Sequence, residues 1–150
     1  MIQVRWDHPD AVALRDAMVG EVEALYSENR ASANRDGSMD VDPETVFATV
    51  LGYDGETPVA HAALRRLDGE LEIKRMHVPP SHRGSGLATI LLSEMEHLAR
   101  EDGAHRLILH TGTRQEAAIA LYKRHGYTEI EVYPPYIDLP NSLCFEKALI

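Results

Sequence analysis

At 150 residues the chain has the length of one domain, enough to bury about 70% of its unfolded surface without metals or disulfides. Its 44% hydrophobic and 26% charged content is ordinary for a globular protein, and no apolar run approaches the roughly 18 residues of a membrane-crossing helix. The net charge of −9 argues against wrapping nucleic acid, which takes a basic face, and weakly favours a cationic partner. One domain over residues 1–150 is expected, with neither nucleic acid nor membrane among its partners. The N-terminal Met-Ile-Gln-Val-Arg-Trp lacks a signal peptide's apolar core, and the single Cys144 has no intrachain partner, so a reducing, cytoplasmic setting is expected.

Residues 2–6 form a first predicted strand. Residues 9–29 then follow as a helix, with Ala11, Leu14, Met18, Val22 and Leu25 at helical spacing and Pro9 in the first turn. Residues 27–42 are polar and predict a loop or short helix, and Asp42 caps one helical turn at 43–45. Three strands come next, over residues 47–53, 59–66 and 71–78. Asp54-Gly55 and Asp68-Gly69 join them, pairs that supply the positive φ of tight antiparallel hairpins.

Leu87, Leu91, Met95 and Leu98 mark one face of a helix running to about residue 102, with Gly103 as its C-terminal stop. Residues 106–111 predict a buried strand around Leu107-Ile108-Leu109. Thr113-Arg114-Gln115-Glu116 has the form of a capping box opening a helix that ends at Gly126, with Ala118, Leu121, Tyr122 and His125 on one face. Strands over 128–133 and 143–149 complete the sheet, separated by a connection rich in Pro and Tyr.

The segment His82-Arg83-Gly84-Ser85-Gly86-Leu87-Ala88, between a strand and a long helix, carries the most chemical information. Its two glycines let successive backbone N–H groups converge on an anion, and the helix N-terminus adds partial positive charge. Arg83 supplies a permanent cation, and Ala88 keeps the first turn slim. A nucleotide-hydrolysing loop needs Lys followed by Ser or Thr after its last Gly, and here Leu87 and Ala88 follow instead. A dinucleotide fingerprint fails as well, because residues 79–82 separate the strand from Arg83 and the next strand ends in His110-Thr111 rather than an acidic residue. Taken alone, the loop is either an anion cradle or a glycine-loosened turn.

With that loop, Gln115-x-x-Ala118-Ile119-x-Leu121-Tyr122 and Gly126-Tyr127 follow in order, separated by a helix and a strand. Together they resemble the GNAT superfamily of acyl-CoA-dependent N-acyltransferases. The resemblance implies an α/β fold with a mixed, mostly antiparallel sheet of about seven strands. That sheet is split by a V-shaped cofactor cleft and flanked by about four helices. Arg83, Gly86 and Ala88 match the family's pyrophosphate loop. By the same resemblance Met76, His77, Val78, Arg83, Gly84, Ser85, Gly86, Leu87, Ala88, Gln115 and Tyr122 would bind acetyl-CoA as co-substrate. Gln115 stands where the family usually has asparagine.

An amine must lose its proton before attacking a thioester, the developing oxyanion needs donors, and the departing thiolate gains from an acid. The resemblance makes Tyr122 the general acid, against a plain core tyrosine, and a backbone N–H near residues 76–78 the oxyanion donor. Glu72 is the expected general base, acting through water. Its alternative is a surface pair with Lys74 or Arg66. His77 is a second base candidate, and Arg75 and His110 are candidates for the cleft lining. Tyr133 and Tyr136 would form an acceptor wall or pack a strand end.

Eight histidines are present, but none at ligand spacing, so no metal is expected. Cys144, between Leu143 and Phe145, suits a buried hydrophobe better than an acyl-carrying nucleophile. The implied activity is direct acetyl transfer to the primary amine of a small molecule. The alternatives are a non-catalytic acyl-CoA sensor or partner-binding subunit, and a peptide or protein amine acetyltransferase. A homodimer is possible. Residues 27–42 and 133–143 are expected to set acceptor choice.

Overall fold

The computed structural model describes residues 1–25 and 41–149. Its strands are β1 Ile2–Val4, β2 Val46–Asp54, β3 Thr57–Leu67, β4 Glu70–His77, β5 Arg106–Gly112, β6 Thr128–Ile130 and β7 Ser142–Ala148. The described helices are α1 Pro9–Leu25, α2 Leu87–Glu101 and α3 Glu116–Arg124, with single 3-10 turns at Pro43–Thr45 and Pro80–His82. The short helix considered for residues 27–42, and the end of the first helix, fall largely outside the described residues.

All seven strands form one sheet in the order β1-β2-β3-β4-β5-β7-β6, antiparallel except between β4 and β5. This is the α/β arrangement expected of the family. Two-residue loops close both early hairpins. Asp68 (φ 50°) and Gly69 (φ 81°) make the second, while Gly55-Glu56 make the first, one residue later than expected.

Leu91, Leu92, Met95 and Ala99 of α2 are buried against Ala62, Leu64, Ile73, Leu107, Leu109 and Phe145 on one face of the sheet. At about 25 cal/mol per Å² of apolar surface removed from water, each large side chain contributes roughly 1.5–3 kcal/mol. Gly103 (φ 84°) ends the helix, with Ala104 N–H donating to the Ala99 carbonyl at 3.0 Å. On the opposite face Ala11 and Leu14 of α1 pack on Leu51.

Parallel pairing of β4 with β5 covers only Leu71–Ile73 against Leu107–Leu109. Beyond it the strands diverge. The register of β3 on β4 slips between His61 and Ala63, and Arg75 takes φ 55°, a β-bulge that bends β4 away from its parallel neighbour. The extra residue also resets side-chain parity. Lys74 lies opposite Ala63 and His77 opposite His61, so Lys74 and His77 share the α1 face.

His61 is fully buried, and burial lowers its pKa to about 4, leaving the ring neutral. Its Nδ1–H then donates to the Arg75 carbonyl at 2.8 Å and its Nε2 accepts from Arg15 at 3.1 Å. Arg15 also donates to the Trp6 carbonyl at 2.6 Å and lies 3.5 Å over the Trp6 ring. One helix residue thus braces the bulge through a histidine.

His61 and His110 take protons near pH 6.5 in the unfolded chain but at about 4 and about 3 in the fold, because burial disfavours their charged forms. The unfolded state binds more protons across that window, so stability falls as pH drops through it. The thermal midpoint is expected to decline from pH 7 to pH 5, less steeply in His61→Gln. A flat wild-type profile would contradict this.

Candidate active site

Beyond β4 the chain passes through Val78 and Pro79 into the turn at Pro80–His82 and then the glycine loop. Gly84 (φ 79°) and Gly86 (φ 86°) are left-handed, a conformation that costs an L side chain about 1–2 kcal/mol, and the space where a Cβ would stand is open. Gly86 caps α2 without a side-chain bond, which leaves the first helical N–H groups for a ligand. Arg83 is braced by its Nε–H to the Val78 carbonyl at 2.9 Å and pairs with Glu21 of α1 at 2.6 Å.

These groups line a cavity of about 340 Å³ together with Met76, His77, Val78, Leu87, Ala88 and Gln115. Ser85 is not part of the lining, because its hydroxyl turns back to donate to the His82 carbonyl at 2.5 Å. The buried His77 Nε2 has no hydrogen-bond partner among the described residues, and burial pushes its pKa down. An orphaned nitrogen, two left-handed glycines over open space and an uncapped helix end fit an extended, phosphate-bearing ligand.

A second cavity, about 90 Å³, opens where β4 and β5 part. Met18, Val22, Met76 and Gln115 line both, so the two spaces meet at the strand divergence. Gln115 reaches this junction because it stands at the start of α3 rather than inside it. The expected capping box does not form: Thr113 N–H is taken by the Asn141 carbonyl at 2.9 Å, and the helix begins at Glu116 without a side-chain cap. Tyr122 lines the second cavity from α3, packed beside Tyr127 and Phe145. Burial raises its hydroxyl to about 12, so it holds its proton at neutral pH.

Glu72 lies elsewhere. It is fully buried, outside both linings, and its carboxylate accepts from Arg65 Nε at 2.7 Å, Tyr133 at 2.5 Å and Tyr136 at 3.3 Å. It is not a surface pair with Lys74 or Arg66, because its carboxylate is fully buried and paired with Arg65. Tyr136 also accepts from Arg65 and from Lys74, each at 2.8 Å, and stacks 3.8 Å from the His110 ring. Burial of the Tyr133 and Tyr136 hydroxyls, beside Glu72, raises both. These tyrosines support the site from below, and the same connection lines it through Leu139, Pro140 and Asn141.

Lys74, Arg75 and His110 do face the second cavity. Burial lowers Lys74 to about 8 and, with Lys74 and Arg65 nearby, His110 to about 3. Cys144 is buried opposite His110, its thiol raised by burial. Sequence reasoning passed over Lys74 as a cavity residue, and it read Met18 and Val22 as core stripe. The sequence carried the signal for Lys74 in its two-residue offset from Glu72 on one strand. Among the described residues no His, Cys, Asp and Glu group could hold a metal ion, and no helix is long and apolar enough to cross a membrane.

Residues 12–127 match the family model described as Acetyltransferase (GNAT) family. An IAA acetyltransferase of Azospirillum brasilense is 41% identical over 142 residues, covering 91% of this chain and 93% of that protein. A streptothricin acetyltransferase of Streptomyces lavendulae is 28% identical, covering 79% of this chain and 64% of the relative. Among solved structures, a Klebsiella pneumoniae protein classed with the acyl-CoA N-acyltransferases superposes with TM-score 0.81 at 30% identity, covering 99% of this chain and 96% of its own. A GNAT acetyltransferase of Elizabethkingia anophelis with acetyl-CoA bound shares the fold at TM-score 0.60 and 16% identity, over 70% of this chain and 77% of that one. The loop, the split sheet and these likenesses define an acyl-CoA-dependent N-acyltransferase. The chain belongs to the GNAT acetyltransferase family, whose co-substrate is acetyl-CoA.

Gly86→Ala forces a side chain into a left-handed position, and titration calorimetry is expected to show CoA binding weakened about tenfold or more. Unchanged affinity would remove the loop as the anion cradle. Glu72→Gln leaves the buried Arg65 charge uncompensated, so urea unfolding is expected to lose about 3–5 kcal/mol. A residue confined to proton transfer would leave that stability intact.

Proposed function

We propose that this chain transfers the acetyl group of acetyl-CoA directly to a primary amine of a small molecule. The observation that carries this reading is the meeting of the two cavities at Met76 and Gln115, with Tyr122 facing the smaller. The glycine loop, Arg83 and the start of α2 hold the phosphates of the co-substrate. Residues 76–78, at the end of the bulged strand, offer backbone groups to its arm. Bound acetyl-CoA supplies an activated acyl group and a thiolate leaving group.

Tyr122 keeps its proton at working pH and donates it as the thiolate departs. The acceptor enters the smaller cavity, whose volume of about 90 Å³ suits a small molecule better than a peptide chain. The acceptor ammonium gives one proton to water before attack, and the second proton, lost from nitrogen as the C–N bond forms and the C–S bond breaks, also passes to water. Lys74 and Arg75 beside a bound ammonium favour the neutral amine, and His110, at about 3, is too weak a base to assist. Glu72 is here a positioning residue that fixes Arg65, Tyr133 and Tyr136 beneath the cavity. Relatives named for IAA and for streptothricin, both small molecules, support the choice of acceptor size.

Release of CoA thiol across an amine panel tests the activity. Tyr122→Phe is expected to lower kcat by about 10- to 1000-fold with acetyl-CoA affinity nearly unchanged. With the hydroxyl at about 12, ionisation of Tyr122 produces no fall in kcat between pH 7 and 10. Undiminished turnover in the variant would take Tyr122 out of the mechanism.

A further inference from the structure

We propose that the acceptor carries a carboxylate, held in the smaller cavity by Lys74; this rests on the acetyl-transfer reading and narrows its substrate class. Among the described residues that line this cavity, Lys74 and Arg75 are the charged ones and none is Asp or Glu. The rest of the wall is neutral, including aliphatic residues of α1 and β4, Gln115, Asn141, Tyr122 and the uncharged His110. A polyamine or amino sugar would bring further positive charge into this space and meet no carboxylate among the described lining residues.

Lys74 itself is the anomaly. It is 6% exposed, yet its Nζ donates to a neutral phenol, Tyr136 at 2.8 Å, and lies 5.0 Å over the same ring. An ammonium carries three donors and is costly to bury without an opposing charge. Glu72, two residues away on the same strand face, favours the Lys74 charge from a distance, but Arg65, Tyr133 and Tyr136 occupy its oxygens. A carboxylate entering from the cavity would balance the second of the two cations that share Glu72 and accept the remaining donors. Burial that lowers Lys74 to about 8 still leaves it largely protonated at neutral pH. The cavity thus opposes the sign suggested by the chain's net charge of −9.

The test compares matched pairs that differ only in the carboxylate. Titration calorimetry of the CoA-loaded protein would use N-acetyl amino acids of graded size against the corresponding N-acetyl amino acid amides. Turnover would use the free amino acids against their amides. In the wild-type protein the acids are expected to bind about tenfold or more tightly than the amides, as charge-assisted hydrogen bonding gives. That ratio should approach one in Lys74→Met and recover in part in Lys74→Arg. Amides that bind as tightly as acids, or acids that do not bind at all, overturn the proposal on wild-type protein alone, whatever the variants do. Lys74-dependent preference for acids with no amine acetylated would uphold the carboxylate site and refute acetyl transfer. Equal turnover of acids and amides would do the reverse.

Discussion

The site exists because two parallel strands stop pairing after three residues. β4 and β5 share hydrogen bonds only through Ile73 and Leu109, and the bulge at Arg75 turns the end of β4 aside. A strand that leaves its neighbour exposes backbone groups that must find other partners, and here a ligand arm between the strands can supply them. The bulge is held from outside the sheet. Arg15 on α1 fixes the His61 ring, and His61 fixes the Arg75 carbonyl, so the helix that walls the cavity also sets the strand's departure.

Beneath the cavity lies a polar cluster that a hydrophobic floor would have made simpler. Arg65, Glu72, Lys74, Tyr133 and Tyr136 are joined by short hydrogen bonds, and the His110 ring stacks on Tyr136. One carboxylate meets two buried cations there, and the surplus charge stands at Lys74 on the cavity wall. Such an arrangement stabilises little relative to apolar packing. The larger cavity differs in having a carboxylate on its wall, Glu21, which pairs with Arg83.

Much of this was legible in the chain. Alternating and helical periodicities located every described strand and helix within a few residues, and hairpin, cap and stop residues marked most boundaries. The glycine loop was legible because left-handed backbone has a residue signature, and the Leu-Tyr and Gly-Tyr pairs because they follow it in a fixed order. The start of α3 was misplaced by a contact from far along the chain: Asn141 occupies the N–H that a local cap would have used. The buried pairing of Glu72 was not legible in the sequence for a similar reason. Its partners Tyr133 and Tyr136 lie more than sixty residues away, in a connection without periodicity.

The amino-acid order by itself determined the family, the element sequence and the left-handed glycine loop, since each depends on neighbours within a turn or a hairpin. Tertiary structure alone decided which charged side chains line the cavity. Alternation along β4 is reset by one extra residue at the bulge, and a carboxylate two positions from a lysine can be neutralised from across the sheet while that lysine is left facing open space. Burial and pairing are properties of the assembled sheet, and they govern where charge is available for chemistry.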